Sequence, residues 1–392
     1  MSVIPASLGT GAADEDPAPR GGHGAARLID PMTIASNALA VPREGDKVEC
    51  LACAHRCVIA PGRRGACKVR YNKGGSLRVP WNYAGSLVIN PIEQAPFLHA
   101  HAGEDVLTIG MLGCNLRCGY CQNWHLSQVL RDAGAPELPT QVTAGEIVSI
   151  AQKRGIRVIL SSLNEPLITA EWAAELFSQA KAAGLTTGIV SSGHGTAEVL
   201  DFLRPHVDLV KIDLKTMAPE KYRTLGAHLH NVLETIRMVH ERGFWLEIVT
   251  LVVPGWNDSE DELRHAARFI ASVSADIPWI LWNFHRDYRM REPDDAEPRD
   301  VVRAASIGRS EGLRFTYAGV QPGRVGDFEQ TRCPACGAVA VDRIGYQLTR
   351  YAIDSAGRCT ACGTAIPGRW SPHGAVTGPP GLWFERRPQR FV

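Results

Sequence analysis

Cys114, Cys118 and Cys121 stand at the spacing C-x3-C-x2-C, with Tyr120 directly before the third thiol and an apolar run, Val106 to Leu112, before the first. Three thiolates on so short a loop can hold three corners of a cubane iron-sulfur cluster, and they leave the fourth iron without a protein ligand. An iron with a free position can bind a small molecule, whereas a cluster that only carries electrons normally has four cysteines. A structural zinc knuckle or three unrelated core cysteines is the competing explanation. Zinc sites, however, usually combine two C-x2-C pairs into a full set of four ligands.

The other eight cysteines form two more short-range groups, so none of the eleven is left over. Cys50, Cys53, Cys57 and Cys67 lie within 18 positions, with Gly62 and Gly65 between them. Their spacing, C-x2-C-x3-C-x9-C, is neither a two-knuckle zinc pattern nor that of bacterial ferredoxins. A closed structural zinc site is preferred there, with an auxiliary iron-sulfur cluster as the alternative; His55 could substitute as a ligand. Cys333-Pro334-Ala335-Cys336-Gly337 and Cys359-Thr360-Ala361-Cys362-Gly363 are two knuckles separated by 22 residues, the pattern of a four-cysteine zinc ribbon, with rubredoxin-type iron as runner-up. Without the basic-then-apolar order of a signal peptide, such clusters favour metal sites in a reducing cytoplasm over disulfides.

At 392 residues the chain can bury a large core and carry one or two small modules beside it. A charged fraction of 21% is ordinary for a globular protein, and no apolar run approaches the ~18 residues of a spanning helix. A net charge of +1 gives no global pull toward nucleic acid, and the tail lacks dense basic and aromatic interleaving. Neither a membrane nor a nucleic acid is therefore an expected partner.

The elements that must position the thiols follow from periodicity. Residues 1–40, rich in Ala, Gly and Pro, read as a disordered leader, and the acidic pair Glu15 and Asp16 argues against a transit peptide. After it come a four-cysteine module and lead-in over 41–100, a core over 101–325, the ribbon over 326–370 and a Pro- and Arg-rich tail over 371–392. In the core, strands are expected at 106–112, 157–162, 187–191, 207–212, 244–253 and 279–284, alternating with amphipathic helices. Thr143 with Glu146 and Ser259 with Glu262 read as capping boxes, and Thr169 as a third helix cap. Six strand-helix repeats imply a parallel sheet with right-handed crossovers, either an incomplete barrel or a doubly wound sheet; periodicity does not choose between them. In both, chemistry collects at the C-terminal strand ends.

Cys114 to Trp124 resembles the signature of the radical S-adenosylmethionine (SAM) superfamily. Together with Asn90-Pro91-Ile92-Glu93, Asn164-Glu165-Pro166, Asp213-Leu214-Lys215, Pro254-Gly255-Trp256-Asn257-Asp258 and Phe284-His285, it resembles the radical SAM member of the AmmeMemoRadiSam system, a group similar to pyruvate formate-lyase activating enzymes. The resemblance implies a partial (β/α)6 barrel of TIM type flanked by small four-cysteine metal modules. It implies a [4Fe-4S] cluster on Cys114, Cys118 and Cys121 that cleaves SAM reductively to a 5′-deoxyadenosyl radical. It also implies SAM contacts from Tyr120, Asn164, Glu165, Ser191, Ser192, Asp213, Lys215 and Val253. Glu165 and Asn164 would meet the amino group, Lys215 a carboxylate, and Val253 the adenine. Glu247, Thr250 and His285 are further candidates for the cavity.

Departures are Val190-Ser191-Ser192-Gly193 where activating enzymes usually carry Asp-Thr-Asn-Gly, Ser162-Leu163 for Thr-Tyr, Arg286 for Pro, and Gly319-Val320 for Gly-Asn. Implied partners are a flavodoxin or ferredoxin type reductant and the other two protein components of the system, and the substrate is a protein, a peptide or a small molecule. The rival class is a non-catalytic iron-sulfur or zinc-ribbon protein that transfers electrons or binds nucleic acid.

Overall fold

The computed structural model of the chain describes residues 22–135, 137–319, 321–371 and 389–390. Its central sheet is built from β1 (Ser86–Pro91), β2 (Asp105–Gly110), β3 (Val158–Ser161), β4 (Thr186–Ser191), β5 (Leu209–Asp213), β6 (Trp245–Val252), β7 (Trp279–Asn283), β8 (Thr316–Ala318) and β9 (Gln389–Arg390). Strands β2 to β8 are all parallel, and their order across the sheet follows the chain without a break. A doubly wound sheet reverses its strand order at a switch point; this one does not. At the β2 edge, β1 pairs antiparallel with β2, and β9 pairs antiparallel with β1.

The crossovers are the helices α1 (Ala144–Lys153), α2 (Ala170–Ala182), α3 (Ala197–Leu203), α4 (Pro219–Leu225), α5 (Leu229–Glu241), α6 (Glu260–Val273) and α7 (Pro298–Ser310). With sequential order and right-handed connections, every helix falls on one face. There Leu107, Ile109, Ile159, Ile189, Ile212 and Ile248 share one core with Ile147, Phe177, Val232 and Ile270. The alternate residues of the strands point the other way. Val106, Val158, Leu160 and Leu209 are covered by Ile92, Phe97 and Ala100 of the β1–β2 connection. Val249, Ile280 and Tyr317 are covered by Val341, Leu348 and Ile353 of the cysteine ribbon.

The capping expectations are met unevenly. Thr143 and Glu146 close a reciprocal box on α1. Thr169 does not cap α2: its hydroxyl donates to Pro166 O at 3.1 Å, because a 3-10 turn, Pro166–Thr169, precedes the helix. Ser259 accepts from Glu262 N at 3.3 Å, but the Glu262 carboxylate reaches across to Met217 N at 2.9 Å and Lys221 Nζ at 2.8 Å. A seventh unit, α7 and β8, extends the expected six; its cap is an unusual one, Glu297 boxed with Asp300 and Pro298 at the first helical position. The core sheet also begins earlier than expected, with β1.

Residues 1–21 of the expected leader lie outside the described residues; from Gly22 the chain forms regular elements. A helix, Gly22–Ile29, leads into Thr33–Ala35, which pairs with Ser76–Pro80, and Ile29 and Leu39 are buried. The apolar positions Ile29, Leu39, Val48 and Val79 have a core to enter, which composition alone did not reveal. A second small sheet joins Ala40–Arg43, Lys47–Cys50 and Val58–Ile59. Of the expected tail, 372–388 and 391–392 lie outside the described residues, as does Val320.

Candidate active site and metal centres

The Cys114 loop leaves the C-terminal end of β2 at Gly113, whose φ of +86° and close neighbours admit no side chain: a Cβ there would stand 2.6 Å from Val69 Cγ1. Asn164, at the end of β3, accepts from Met111 N at 3.0 Å and donates to Gly113 O at 3.1 Å, so its amide holds the loop's entry. Arg131 donates to Cys114 O at 2.8 Å and to Leu116 O at 3.3 Å, and Gln128 donates to Leu116 O at 3.2 Å. Ser127 Oγ lies 3.1 Å from Cys121 Sγ. From the other side, Arg289 N and Met290 N both donate to Gly119 O at 2.9 Å, and Trp124 stacks on Tyr288 at 5.2 Å. Arg131, Ser127 and Gln128 escaped the sequence reading, since a backbone-bracing role leaves no spacing signature.

Burial, reinforced by the Glu165 charge, pushes the Cys114 thiol far up; burial raises Cys118 to about 11 against the opposing pull of Lys215, and burial raises Cys121. Thiols so placed ionise only when a bound cation compensates them. Among the described residues, one group of ligand atoms alone gathers within 4.8 Å, and it is not this one. The Cys114 loop thus lacks the tight cage of a single ion, while cubane thiolates stand about 6 Å apart. The donor set fits a cluster.

At the neighbouring strand ends the expected residues assemble. Glu165, 1% exposed, accepts on Oε1 from Ser191 Oγ at 2.7 Å and Leu167 N at 3.1 Å, and on Oε2 from Ser192 N at 2.8 Å and Ser192 Oγ at 2.5 Å. Burial raises its pKa, and the serines counter that. Asp213 accepts from Lys215 Nζ at 3.1 Å and from Lys211 Nζ at 2.5 Å. Burial opposes its ionisation, but the two ammonium groups hold it down at about 2. Lys211 was not expected; its signal was a lone charge inside the apolar run Leu209 to Ile212. Tyr120 is buried and packs edge-on against Trp256 at 5.5 Å.

Other candidates are placed differently. Val253 is fully buried, its N–H bound by Asn257 Oδ1 at 2.7 Å, while Asn257 Nδ2 donates to Lys215 O at 2.7 Å. Asn257, not Val253, is the polar link between the ends of β5 and β6. Glu247 accepts from Leu98 N at 2.7 Å and His99 N at 2.9 Å, and therefore anchors the β1–β2 connection. Thr250 donates to Leu214 O at 2.8 Å. His285 is half-buried at the end of β7.

In the ribbon, Cys333, Cys336, Cys359 and Cys362 bring their sulfurs within 4.8 Å of one another, with 3.5 Å between Cys333 and Cys362 and 3.9 Å between Cys336 and Cys359. Zinc with Zn–S near 2.3 Å requires about 3.8 Å between sulfurs, so a single tetrahedral ion fits. Each knuckle folds on its glycine: Gly337 N donates to Cys333 O at 2.9 Å and Gly363 N to Cys359 O at 2.8 Å. The Cys50 group docks against the loops after β2 and β4. Ala54 N donates to His194 O at 3.0 Å, Thr196 Oγ1 to Leu51 O at 2.6 Å, and His55 Nε2 meets Asn115 O at 3.1 Å. His55 is thus engaged with the Cys114 loop's backbone.

The radical SAM superfamily matches residues 108–269, from within β2 into α6, and so contains the Cys114 loop and the ends of β3 to β6. The chain thus contains a radical SAM domain over these residues. More narrowly, it belongs to one family with an uncharacterised protein of Methanocaldococcus jannaschii, to which it is 32% identical over 327 residues, 82% of this chain and 96% of that one. It is also 28% identical over 166 residues to the pyruvate formate-lyase 1-activating enzyme of Escherichia coli, covering 40% of this chain and 65% of that enzyme. With the isethionate sulfite-lyase activating enzyme of Oleidesulfovibrio alaskensis it shares 25% identity over 195 residues, 47% of this chain and 60% of the relative. The chain therefore spans slightly less than two thirds of either activating enzyme. Among the described residues no helix is long and apolar enough to cross a membrane.

Proposed function

We propose that the chain is a radical SAM enzyme whose strand sequence curves into a partial barrel around SAM. Cys114, Cys118 and Cys121 would hold a [4Fe-4S] cluster that, when bound, supplies one electron to SAM, yielding methionine and a 5′-deoxyadenosyl radical that takes hydrogen from the substrate. One observation carries this reading: three thiols without a fourth partner stand at the end of β2, inside the region matched to the superfamily, beside two charged sets at adjacent strand ends. Lys215 offers a cation for the carboxylate of SAM. Glu165 offers carboxylate acceptors for the ammonium, oriented by four neutral donors. Ser191 and Ser192 fix that carboxylate, and Asp213 holds Lys215 beside Cys118. No general base is needed, which agrees with the lack of a catalytic triad in the motifs.

The activating enzymes among its relatives favour a protein or peptide substrate over a small molecule, and a flavodoxin or ferredoxin type reductant in a reducing cytoplasm. Membership of the AmmeMemoRadiSam system, with its two further protein components, and zinc in the ribbon belong to the same proposal. The test is anaerobic reconstitution, reduction with dithionite and chromatography of the products. The intact chain is expected to form 5′-deoxyadenosine from SAM and the Cys118→Ala variant none. Equal yields from both would sink the reading.

A further inference from the structure

Beside the Cys114 loop and the ribbon's cage, four thiols remain: Cys50, Cys53, Cys57 and Cys67. They share one locus. Cys50 N donates to Cys57 O at 2.9 Å, and Cys57 Sγ accepts from the N–H of Ala66, the residue before Cys67, at 3.3 Å. Cys50, Cys53 and Cys67 are buried and Cys57 is half-buried. Yet their sulfurs are not drawn together within the 4.8 Å that the ribbon's four sulfurs respect. The same chain thus contains a mononuclear cage and, in this module, a wider one. A single tetrahedral ion needs about 3.8 Å between sulfurs, whereas the thiolates of a cubane stand about 6 Å apart.

The module also lies against the active-site loop. Arg131 spans the two with one guanidinium, donating to Ala66 O and to Cys114 O. A Cβ on Gly113 would stand 3.1 Å from Cys67 O, so the two cysteine-bearing backbones are in van der Waals contact. On the outer side, Lys68 acts on the Cys57 thiol and Val58 is 57% exposed beside it, while the exposed Arg56 is paired with Glu198 and Glu49. A cation and an exposed apolar tip at the Cys57 edge suit contact with an acidic electron carrier.

We propose that Cys50, Cys53, Cys57 and Cys67 hold a second [4Fe-4S] cluster that relays single electrons from a docked protein reductant to the Cys114 loop. The proposal rests on reading that loop as an iron-sulfur site. A reduced flavodoxin or ferredoxin type protein loses one electron and the second cluster goes from the 2+ to the 1+ state. It returns to 2+ as the Cys114-loop cluster goes from 2+ to 1+, and that electron is consumed in breaking the bond between sulfur and C5′ of SAM. The relay forms no bond and moves no proton.

The test uses the full chain, a Cys114→Ala/Cys118→Ala/Cys121→Ala variant and a Cys50→Ser/Cys67→Ser variant, each reconstituted anaerobically with iron and sulfide. Iron, sulfide and zinc are quantified, and dithionite-reduced samples are examined by electron paramagnetic resonance. The triple variant is expected to keep about four irons and a paramagnetic signal that SAM does not alter. The double variant is expected to keep a signal that SAM shifts, and to lose 5′-deoxyadenosine formation with reduced flavodoxin far more than with dithionite. A triple variant that binds no iron and one zinc beyond the ribbon's would overturn the second cluster. Equal losses with both reductants would overturn the relay. Failure of the underlying reading looks different: the triple variant would then retain all the iron of the full chain. Should the double variant not fold, the triple variant alone decides occupancy.

Discussion

Glu165 receives four hydrogen bonds from Ser191, Ser192 and Leu167, and no neutral side chain could accept them all. Glu165→Gln turns one acceptor oxygen into a donor facing Ser192, and is expected to cost about 2 kcal/mol of stability and to weaken SAM binding, read by denaturant unfolding and equilibrium binding. Asp213 is the single carboxylate between Lys211 and Lys215, which are 6% and 14% exposed. Asp213→Asn leaves two buried ammonium groups uncompensated, so a loss of about 3 kcal/mol is expected; adding Lys211→Met should restore part of it. The sign of the pH effect follows. The folded pKa of Asp213, about 2, lies below its ordinary value, so the stabilisation is present above about pH 4 and is lost as the pH falls toward 2.

At the scale of elements, the Cys114 loop depends on its junctions rather than on its own hydrogen bonds. Gly113→Ala must displace Val69 while holding a positive φ, and is expected to cost on the order of 2 to 4 kcal/mol and to lower iron occupancy, measured by thermal melting and iron analysis. Arg131→Ala unties Ala66, Cys114 and Leu116 at once and should release the N-terminal module toward proteolysis while α1 to α6 stay protected. The helices themselves were largely legible. Thr143 with Glu146 capped α1 as its local pattern required, because both partners lie within one turn. Ser259 with Glu262 had the same pattern, yet Glu262 is drawn to Lys221 and Met217 across the strand end. Local capping fails as a guide where a distant cation competes for the carboxylate.

For the whole molecule, the β1–β2 connection and the ribbon fill the face of the sheet opposite the helices and meet at His99. Its Nδ1 lies 2.6 Å from Pro367 O and its Nε2 2.5 Å from the Tyr317 hydroxyl. Burial, opposed by the Pro367 contact, lowers its pKa to about 3. The unfolded chain takes up a proton near pH 6.5 and the folded chain does not, so His99 makes stability fall by up to about 1.4 kcal/mol per pH unit between 6.5 and 3. Glu247, raised to about 7 by burial despite the N–H groups of Leu98 and His99, acts in the opposite sense between about pH 4.5 and 7. Comparison with His99→Gln isolates the histidine: the difference between the two proteins should shrink steadily below pH 6.5. If the ribbon holds zinc as proposed, a chelator is expected to expose 333–366 to protease and, through His99 and Arg343, to loosen the connection at Leu98, as hydrogen exchange would report.

The amino-acid order by itself determined the three cysteine groups, the alternation of strands and helices, and the positions of Glu165, Ser191, Asp213 and Lys215 at strand ends. These are short-range properties: metal spacing, period and breakers are written within a few residues of one another. Only the tertiary structure decided that Glu165 is saturated by two serines from the next strand, that Asn164 and Arg131 brace the loop, and that Val253 is sealed in the core. It likewise separated the tight sulfur cage of the ribbon from the wider one near Cys50, and set that module against the Cys114 loop. Those outcomes depend on contacts between residues tens to hundreds of positions apart, which side-chain packing and buried charge select and which no local pattern encodes.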